Sequence, residues 1–350
     1  MRVHARHFTD LTEMTEKILL GHGSGGKLTH DLIKNIFIKY FQNDILSVQG
    51  DSSVLNLNAE NIAVTTDSFV VDPVFFPGGD IGKLAICGTV NDLAVSGAKP
   101  LYLTAAFIIE EGFPMDSLIS IVKSMADEAK KSGVYIVAGD TKVVNTGKCD
   151  KIFINTTGIG IIDRKRIHIS SGLNIKPGDK IIINGTIGDH GMTIMKAREF
   201  ESFDINIKSD CACLNGLIEK VLEVSENVHF MRDATRGGLA SVLCEIVESK
   251  NFGISIDENN IEVNEGVRGM CEVLGLDPAY VANEGKVIII VDENDAEKVL
   301  EIMHRQDYGA DSRIIGEVTI KYPGQCWMNT IIGGKRIIDM LTGEQLPRIC

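Results

Sequence analysis

Apolar residues in this chain come in short bursts, and their brevity limits what the chain can become. The run Val287-Ile-Ile-Ile-Val291 is typical of the longest, far below the ~20 residues that span a bilayer. Short bursts rich in β-branched residues and bounded by Gly, Asp or Pro read as strands. Ile62–Thr66, Leu101–Ile109, Val134–Ala138 and Lys151–Ile162 fit in the first half. Lys180–Asn184, Val287–Val291 and Arg313–Val318 fit in the second. Helical patterns lie between them over Leu28–Phe41, Ile81–Val95, Pro114–Lys131, Thr235–Ser249 and Asp295–His304. Pro114 opens its helix and Gly133 closes it, the usual asymmetry of helix ends. The clearest amphipathic stripe is Leu239, Val242, Leu243, Ile246 and Val247. Strands and helices are mixed rather than strictly alternating, which predicts α+β sheets rather than a doubly wound parallel sheet.

At roughly 150 residues per domain, 350 residues predict two domains. The turn-rich stretch Ser170–Asp179 marks the joint. The expected organisation is an extension over 1–15, domains over 16–170 and 171–333, and a weakly periodic tail over 334–350. The net charge of −13 argues against nucleic acid or an anionic membrane as partner. The first residues lack an apolar core like that of a secretory signal, so a cytoplasmic location is expected. The eight cysteines include no CxxC pair and are expected as thiols in a reducing compartment. Cys211-Ala-Cys213 is the closest pair; with no second pair nearby a zinc site is not expected, and a CxC in a polar stretch is more often incidental.

Gly21-His-Gly-Ser-Gly-Gly26-Lys27 precedes the first helix. It matches the spacing of a dinucleotide fingerprint, but no clean βαβ unit surrounds it. It also matches most of a phosphate-binding P-loop, but Leu28 stands where a metal-binding Ser or Thr belongs. What survives is physics. Glycines at a helix start expose backbone N–H groups to an anion, so Gly25, Gly26 and Lys27 are candidate phosphate contacts.

Five aspartates sit at the ends of apolar runs or beside glycines: Asp51, Asp67, Asp92, Asp140 and Asp233. Singly, each fits a turn or cap, and Asp233 is placed to cap the helix expected from Thr235. Together they predict a cleft whose mutual repulsion a hard cation such as magnesium relieves. Such a cation would join an acidic protein to an anionic ligand. Lys142 follows Asp140 on the same strand face, and Arg236 starts a helix where a phosphate could bind.

With these pieces in order, the sequence resembles the HypE family of hydrogenase maturation proteins. The family belongs to an ATP-binding superfamily with aminoimidazole ribonucleotide (AIR) synthetase, PurM, and selenophosphate synthetase. The matching stretches are GHGSGGK, the long segment TTDSFVVDPVFFPGGDIGKLAICGTVNDLAVSGAKPLYLT, VAGDTKVV, RDATRGGLA, NEGK and the ending PRIC. The resemblance implies a two-domain PurM-like fold with a mobile C-terminal tail. It implies strands that pair across a homodimer, with ATP between the domains near that interface. Cys350 would accept a carbamoyl group from the carbamoyltransferase HypF. The protein would then use ATP to dehydrate the thiocarboxamide to a thiocyanate. The cyano group would pass through the HypC–HypD complex to the iron of a [NiFe] hydrogenase.

By the same resemblance Asp51, Asp67, Asp92 and Asp233 would hold magnesium, with Asp140, Arg236 and Gly237 adding nucleotide contacts. Lys142 and Glu284 would be the catalytic pair, although Glu284 could instead be a structural partner of Lys286. An extended tail from Gly334 reaches on the order of 50 Å, enough to visit two sites. Pro347 would keep its end extended, and Arg348 could offset the terminal carboxylate. Two other functions fit parts of the pattern. A small-molecule ATP-using synthetase would not need Cys350, and a pure carrier would be carbamoylated without dehydrating anything.

Overall fold

Alternation of exposed and half-buried residues along Ile62–Phe69 defines a sheet with one covered and one open face. The computed structural model describes residues 16–350 except 50, 51, 201, 203, 342, 344, 345 and 347. The expected extension over 1–15 and the candidate ligand Asp51 lie outside the described residues.

The first domain opens with a helical segment in three parts. These are α1 (Lys27–Leu32), a wider i→i+5 turn over Ile33–Ile38, and α2 (Lys39–Phe41). Next come β1 (Ile62–Phe69), a two-residue ribbon of β2 (Phe75–Phe76) and β3 (Gly79–Asp80), and α3 (Ile81–Val95). The domain is completed by β4 (Ala98–Glu110), α4 (Met115–Ser132), β5 (Tyr135–Val144) and β6 (Ile152–Ile162). The main sheet has the order β1-β6-β4-β5, with only the β4–β5 pair parallel. Asp80 caps α3 by accepting from Gly82 N at 2.7 Å and Lys83 N at 3.1 Å. α3 is buried nearly all round because the sheet covers one side and helices from both halves cover the other.

The second domain contains β7 (Lys180–Ile183), α5 (Asp189–Glu199), α6 (Asn215–Val224) and β8 (Val228–Asp233). It continues with α7 (Gly238–Val247), β9 (Gly253–Asp257), α8 (Glu265–Leu274), β10 (Val287–Val291) and α9 (Ala296–His304). β11 (Arg313–Thr319), β12 (Cys326–Asn329) and β13 (Lys335–Ile338) end it. The seven strands run β13-β12-β9-β11-β7-β10-β8. The run Val287–Val291 is apolar throughout because both its faces are buried. Ile288 and Ile290 pack with α7, while Val287, Ile289 and Val291 pack with α6 and α9.

Three boundaries differ from expectation for physical reasons. Asp67 and Asp140 sit inside β1 and β5 rather than at strand ends: the open sheet face tolerates Asp140, and Thr89 of α3 donates to Asp67 on the covered face. α7 starts at Gly238, not Thr235, because Gly237 (φ 74°) and Gly238 (φ 62°) are left-handed. Part of the segment expected as tail is β13, an antiparallel partner of β12. A core shared by the two halves includes Met192, Ile194 and Val267, and it also takes Leu346 and Ile349 from the chain's end.

Candidate functional site

α3 forms the floor of the site. Thr89 Oγ1 donates to Asp67 Oδ2 at 3.2 Å, and Thr65 Oγ1 donates to Asp92 Oδ2 at 2.8 Å. The two carboxylates are thus held between β1 and α3. Asp233 closes β8 and does not cap a helix: Gly237 occupies the cap position of α7. That leaves the Asp233 carboxylate to the cleft, contrary to the capping role expected of it. A Cβ at Gly238 would lie 2.6 Å from Val281 O, so only glycine fits this turn.

Glu284 follows β8 and α7 onto the same cleft. The Asp210 carboxylate accepts from Glu284 N and Gly285 N, each at 3.2 Å, and Asn91 Nδ2 donates to Glu284 O at 3.2 Å. Lys286 pairs with Asp210 at 3.5 Å, so Glu284 is not its structural partner. The Glu284 carboxylate is buried, 4.0 Å from His190 Nε2.

The chain's end is seated here. Val70 N donates to Cys350 O at 3.0 Å, His190 Nε2 to Ile349 O at 2.8 Å, and Arg198 Nη2 to Arg348 O at 2.7 Å. His190 donates through Nε2, so its Nδ1 accepts from Ser209 Oγ, 2.8 Å away. Burial keeps this imidazole below its ordinary pKa, in the neutral form the bonding requires. Ile349 is 7% exposed. The Arg348 guanidinium reaches Asp150 at 2.5 Å and Val70 O at 3.1 Å, instead of offsetting the terminal carboxylate.

The result is a cleft of about 620 Å³ lined by Asp67, Asp92, Asp233, Arg236, Glu284 and Cys350, among others. Its electrostatics are those of crowded acids. Burial, then Asp233 and Asp67, pushes Asp92 up to about 7. Burial also pushes Asp233 up to about 6. Glu284 is raised well above the usual carboxylate range by burial, then by Asp233, Asp210, Asp67 and Asp92. Burial, then Glu284, pushes the Cys350 thiol up to about 11. The donor set of carboxylate and hydroxyl oxygens suits a hard divalent cation, and the repulsion in the cluster is what such a cation relieves.

The remaining candidates form a second group. Register places Asp140 beside Ala106, Asn155 and Ser68, on the open face of the first sheet. Asp67 lies in the next row, facing α3. Asp140 and Lys142 pair at 2.8 Å on that open face, and the lysine lowers the Asp140 pKa. The glycine loop lies at the same sheet edge, with Gly23 packed on Val143. Gly25 N donates to Thr29 Oγ1 at 2.9 Å, while Gly26 and Lys27 are exposed. One chain therefore does not bring Lys142 to Glu284. His190, Arg198, Asp210 and Asn91 were not anticipated. The available signal was the polar start of α5, Asp189-His190-Gly191, which a surface helix would not bury.

Comparison with known proteins matches residues 49–162 to the AIR synthase related protein N-terminal domain and residues 176–323 to the C-terminal domain of the same family. The chain is 47% identical to the carbamoyl dehydratase HypE of Rhodobacter capsulatus, over 96% of this chain and 98% of that one. A solved structure of the hydrogenase maturation protein HypE in complex with ATP superposes with a TM-score of 0.89 at 47% identity, covering 95% of this chain and 99% of the other. The HypE chain of a HypE–HypF complex gives a TM-score of 0.77 at 53% identity, covering 89% and 99%. With both domains of the AIR synthase-related fold in place and near-complete coverage at this identity, the chain belongs to the HypE family of hydrogenase maturation proteins.

Proposed function

We propose that the chain is an ATP-dependent dehydratase acting on its own Cys350, turning an S-carbamoyl group into a thiocyanate for the iron of a [NiFe] hydrogenase. One observation carries this reading: the Cys350 thiol lines the same cleft as Asp67, Asp92, Asp233 and Glu284. A carrier whose thiol served only partners would have no use for that neighbourhood.

Asp67, Asp92 and Asp233, with Asp51, would hold magnesium. When bound, magnesium brings positive charge to the nucleotide's phosphates, and ATP supplies the phosphoryl group that makes the amide oxygen a leaving group. The chain's own residues do the rest. The hydrogen bonds that Val70 N, His190 Nε2 and Arg198 Nη2 donate to the tail's carbonyls would hold the loaded tip in reacting position. Glu284 takes protons from the carbamoyl nitrogen. Burial, then the nearby aspartates, raises its affinity for a proton, and charge neutralisation of the aspartates would remove their share of that rise. Arg236 faces the cleft without an ion pair among the described residues, free to meet a phosphate.

The second group of candidates joins through a homodimer. The open face of the first sheet carries an apolar row of Val64, Ile159, Tyr102 and Tyr135 beside exposed Ile62 and Ile108. Exposed apolar surface of this kind belongs in an interface. A second copy seated there would bring Asp140, Lys142 and the Gly25–Lys27 loop towards its partner's cleft. Lys142 would then orient the thiocarboxamide or share its proton with Glu284. The chain would receive its carbamoyl group from HypF, as the solved HypE–HypF assembly suggests, and pass cyanide to HypC–HypD.

A seated Cys350 is a protonated thiol, so carbamoylation requires the tip to leave the cleft. Removing Cys350 tests the reading against a synthetase of diffusible substrates. The truncated protein should bind ATP yet form no cyano product. Turnover of a free substrate by the truncated protein would favour the synthetase.

A further inference from the structure

Two of the eight thiols and one buried carboxylate meet at one point behind the cleft. Cys87, in the middle of α3, is fully buried, and its Sγ lies 3.5 Å from Cys213 Sγ. Cys211, two residues before Cys213, is also buried. Glu128, on α4, is buried, and its carboxylate lies within 4.8 Å of both the Cys87 and Cys213 sulfurs. The convergence is built rather than incidental. Asn91 Nδ2 donates to Ala212 O at 2.9 Å and Asn91 Oδ1 accepts from Leu214 N at 2.7 Å, fixing the Cys-Ala-Cys segment against α3. The two sulfurs come from residues 126 apart in sequence.

We propose that Cys87, Cys213 and Glu128 form a site for a thiophilic divalent cation of the zinc class. Two thiolates and a carboxylate brought together suit zinc, whereas magnesium has no preference for sulfur. Zn–S bonds of about 2.3 Å in a tetrahedron separate two sulfurs by about 3.8 Å, within a few tenths of the separation here. A disulfide would need the same pair to close to about 2.05 Å. Each thiol that binds releases its proton to solvent. Glu128 exchanges its ion pair with Lys131, at 2.7 Å, for the cation. Burial keeps Cys87 protonated until a cation arrives.

The role is structural. α3 and α4 belong to the first domain and the 211–213 segment to the second, so the cation clamps the seam between them. Asn91, one turn from Cys87, also holds Glu284 O, and Asp92 is its neighbour. The clamp therefore sets the spacing of two cleft carboxylates contributed by different domains.

The test uses the full chain purified under reducing conditions without chelator. Elemental analysis should find roughly one zinc per chain. Replacing it with Co(II) should give a thiolate-to-cobalt charge-transfer band. Because Cys213 is only half-buried, Cys213→Ser should keep its fold, checked by circular dichroism, while losing both the zinc and the band. Glu128→Gln should retain the band but release zinc more readily to a competing chelator. Chelation should lower the melting temperature of the wild type and not of Cys213→Ser. A reduced wild type that takes up no added zinc would overturn the proposal. So would zinc retained by Cys213→Ser, or a Cys87–Cys213 disulfide in protein handled without oxidant.

Discussion

Replacing Ile349 with alanine should unseat the chain's end without touching the bonds that hold its backbone. The carbonyls of Arg348, Ile349 and Cys350 accept from Arg198, His190 and Val70, and none of these bonds needs the isoleucine side chain. What is lost is the burial of a side chain now 7% exposed. Removing three buried carbons costs about 2 kcal/mol, which shifts the ratio of seated to free tip by about 30-fold. Thiol reactivity reports that ratio. In the cleft, burial and then Glu284 raise Cys350 from 9.0 to about 11, which cuts its thiolate fraction at neutral pH about 100-fold. Alkylation therefore proceeds through the free tip. Iodoacetamide labelling at neutral pH, followed by Glu-C digestion and mass spectrometry of the QLPRIC peptide, separates Cys350 from the other seven cysteines. The Ile349→Ala protein should label about 30-fold faster than wild type, approaching the rate of a synthetic QLPRIC peptide. Equal rates in the two proteins, or a wild-type rate equal to that of the free peptide, would refute the seating.

Glu284→Gln should accept a carbamoyl group normally but dehydrate it about 10²- to 10⁴-fold more slowly, as read by single-turnover mass spectrometry. Asp92 and Asp233 hold their protons up to about 7 and about 6, against 3.8 in the unfolded chain. The fold thus binds these protons more tightly than the unfolded state does, and its stability falls as pH rises from about 4 to about 7. Thermal melts should show that loss without magnesium, and magnesium at neutral pH should reverse much of it. Gly238→Ala forces a left-handed alanine with its Cβ 2.6 Å from Val281 O. It should cost at least about 2 kcal/mol, measured by urea unfolding.

Periodicity reached the elements that are apolar on a regular face. The bounds of α3 were legible to the residue although it is buried nearly all round, and the run Val287–Val291 was legible as a strand. Periodicity failed where function displaced it. α5 buries Asp189, His190 and Thr193, of which His190 holds the tail at Ile349 O, so its apolar stripe is broken. β5 looked finished at Ala138 because Gly139 and Asp140 follow, yet an open sheet face lets polar residues continue the strand to Val144. The acidic cluster was readable as a set because crowded carboxylates demand a cation. Its division was not readable: neighbouring rows of one sheet face opposite ways, and register alone decides that Asp67 looks to α3 while Asp140 looks outward. The thiol pair was invisible for a simpler reason, since Cys87 stands far from Cys213 in sequence and only the packing of α3 brings them together. No helix among the described residues is long and apolar enough to cross a membrane, in keeping with the short apolar bursts.

Loading Cys350 with a carbamoyl group, adding ATP and magnesium, and weighing the intact chain tests the account most directly. The mass should fall by one water, localised to Cys350, with one ADP and one phosphate released per chain dehydrated. A chain that keeps its full carbamoyl mass while ATP is bound or consumed would contradict it.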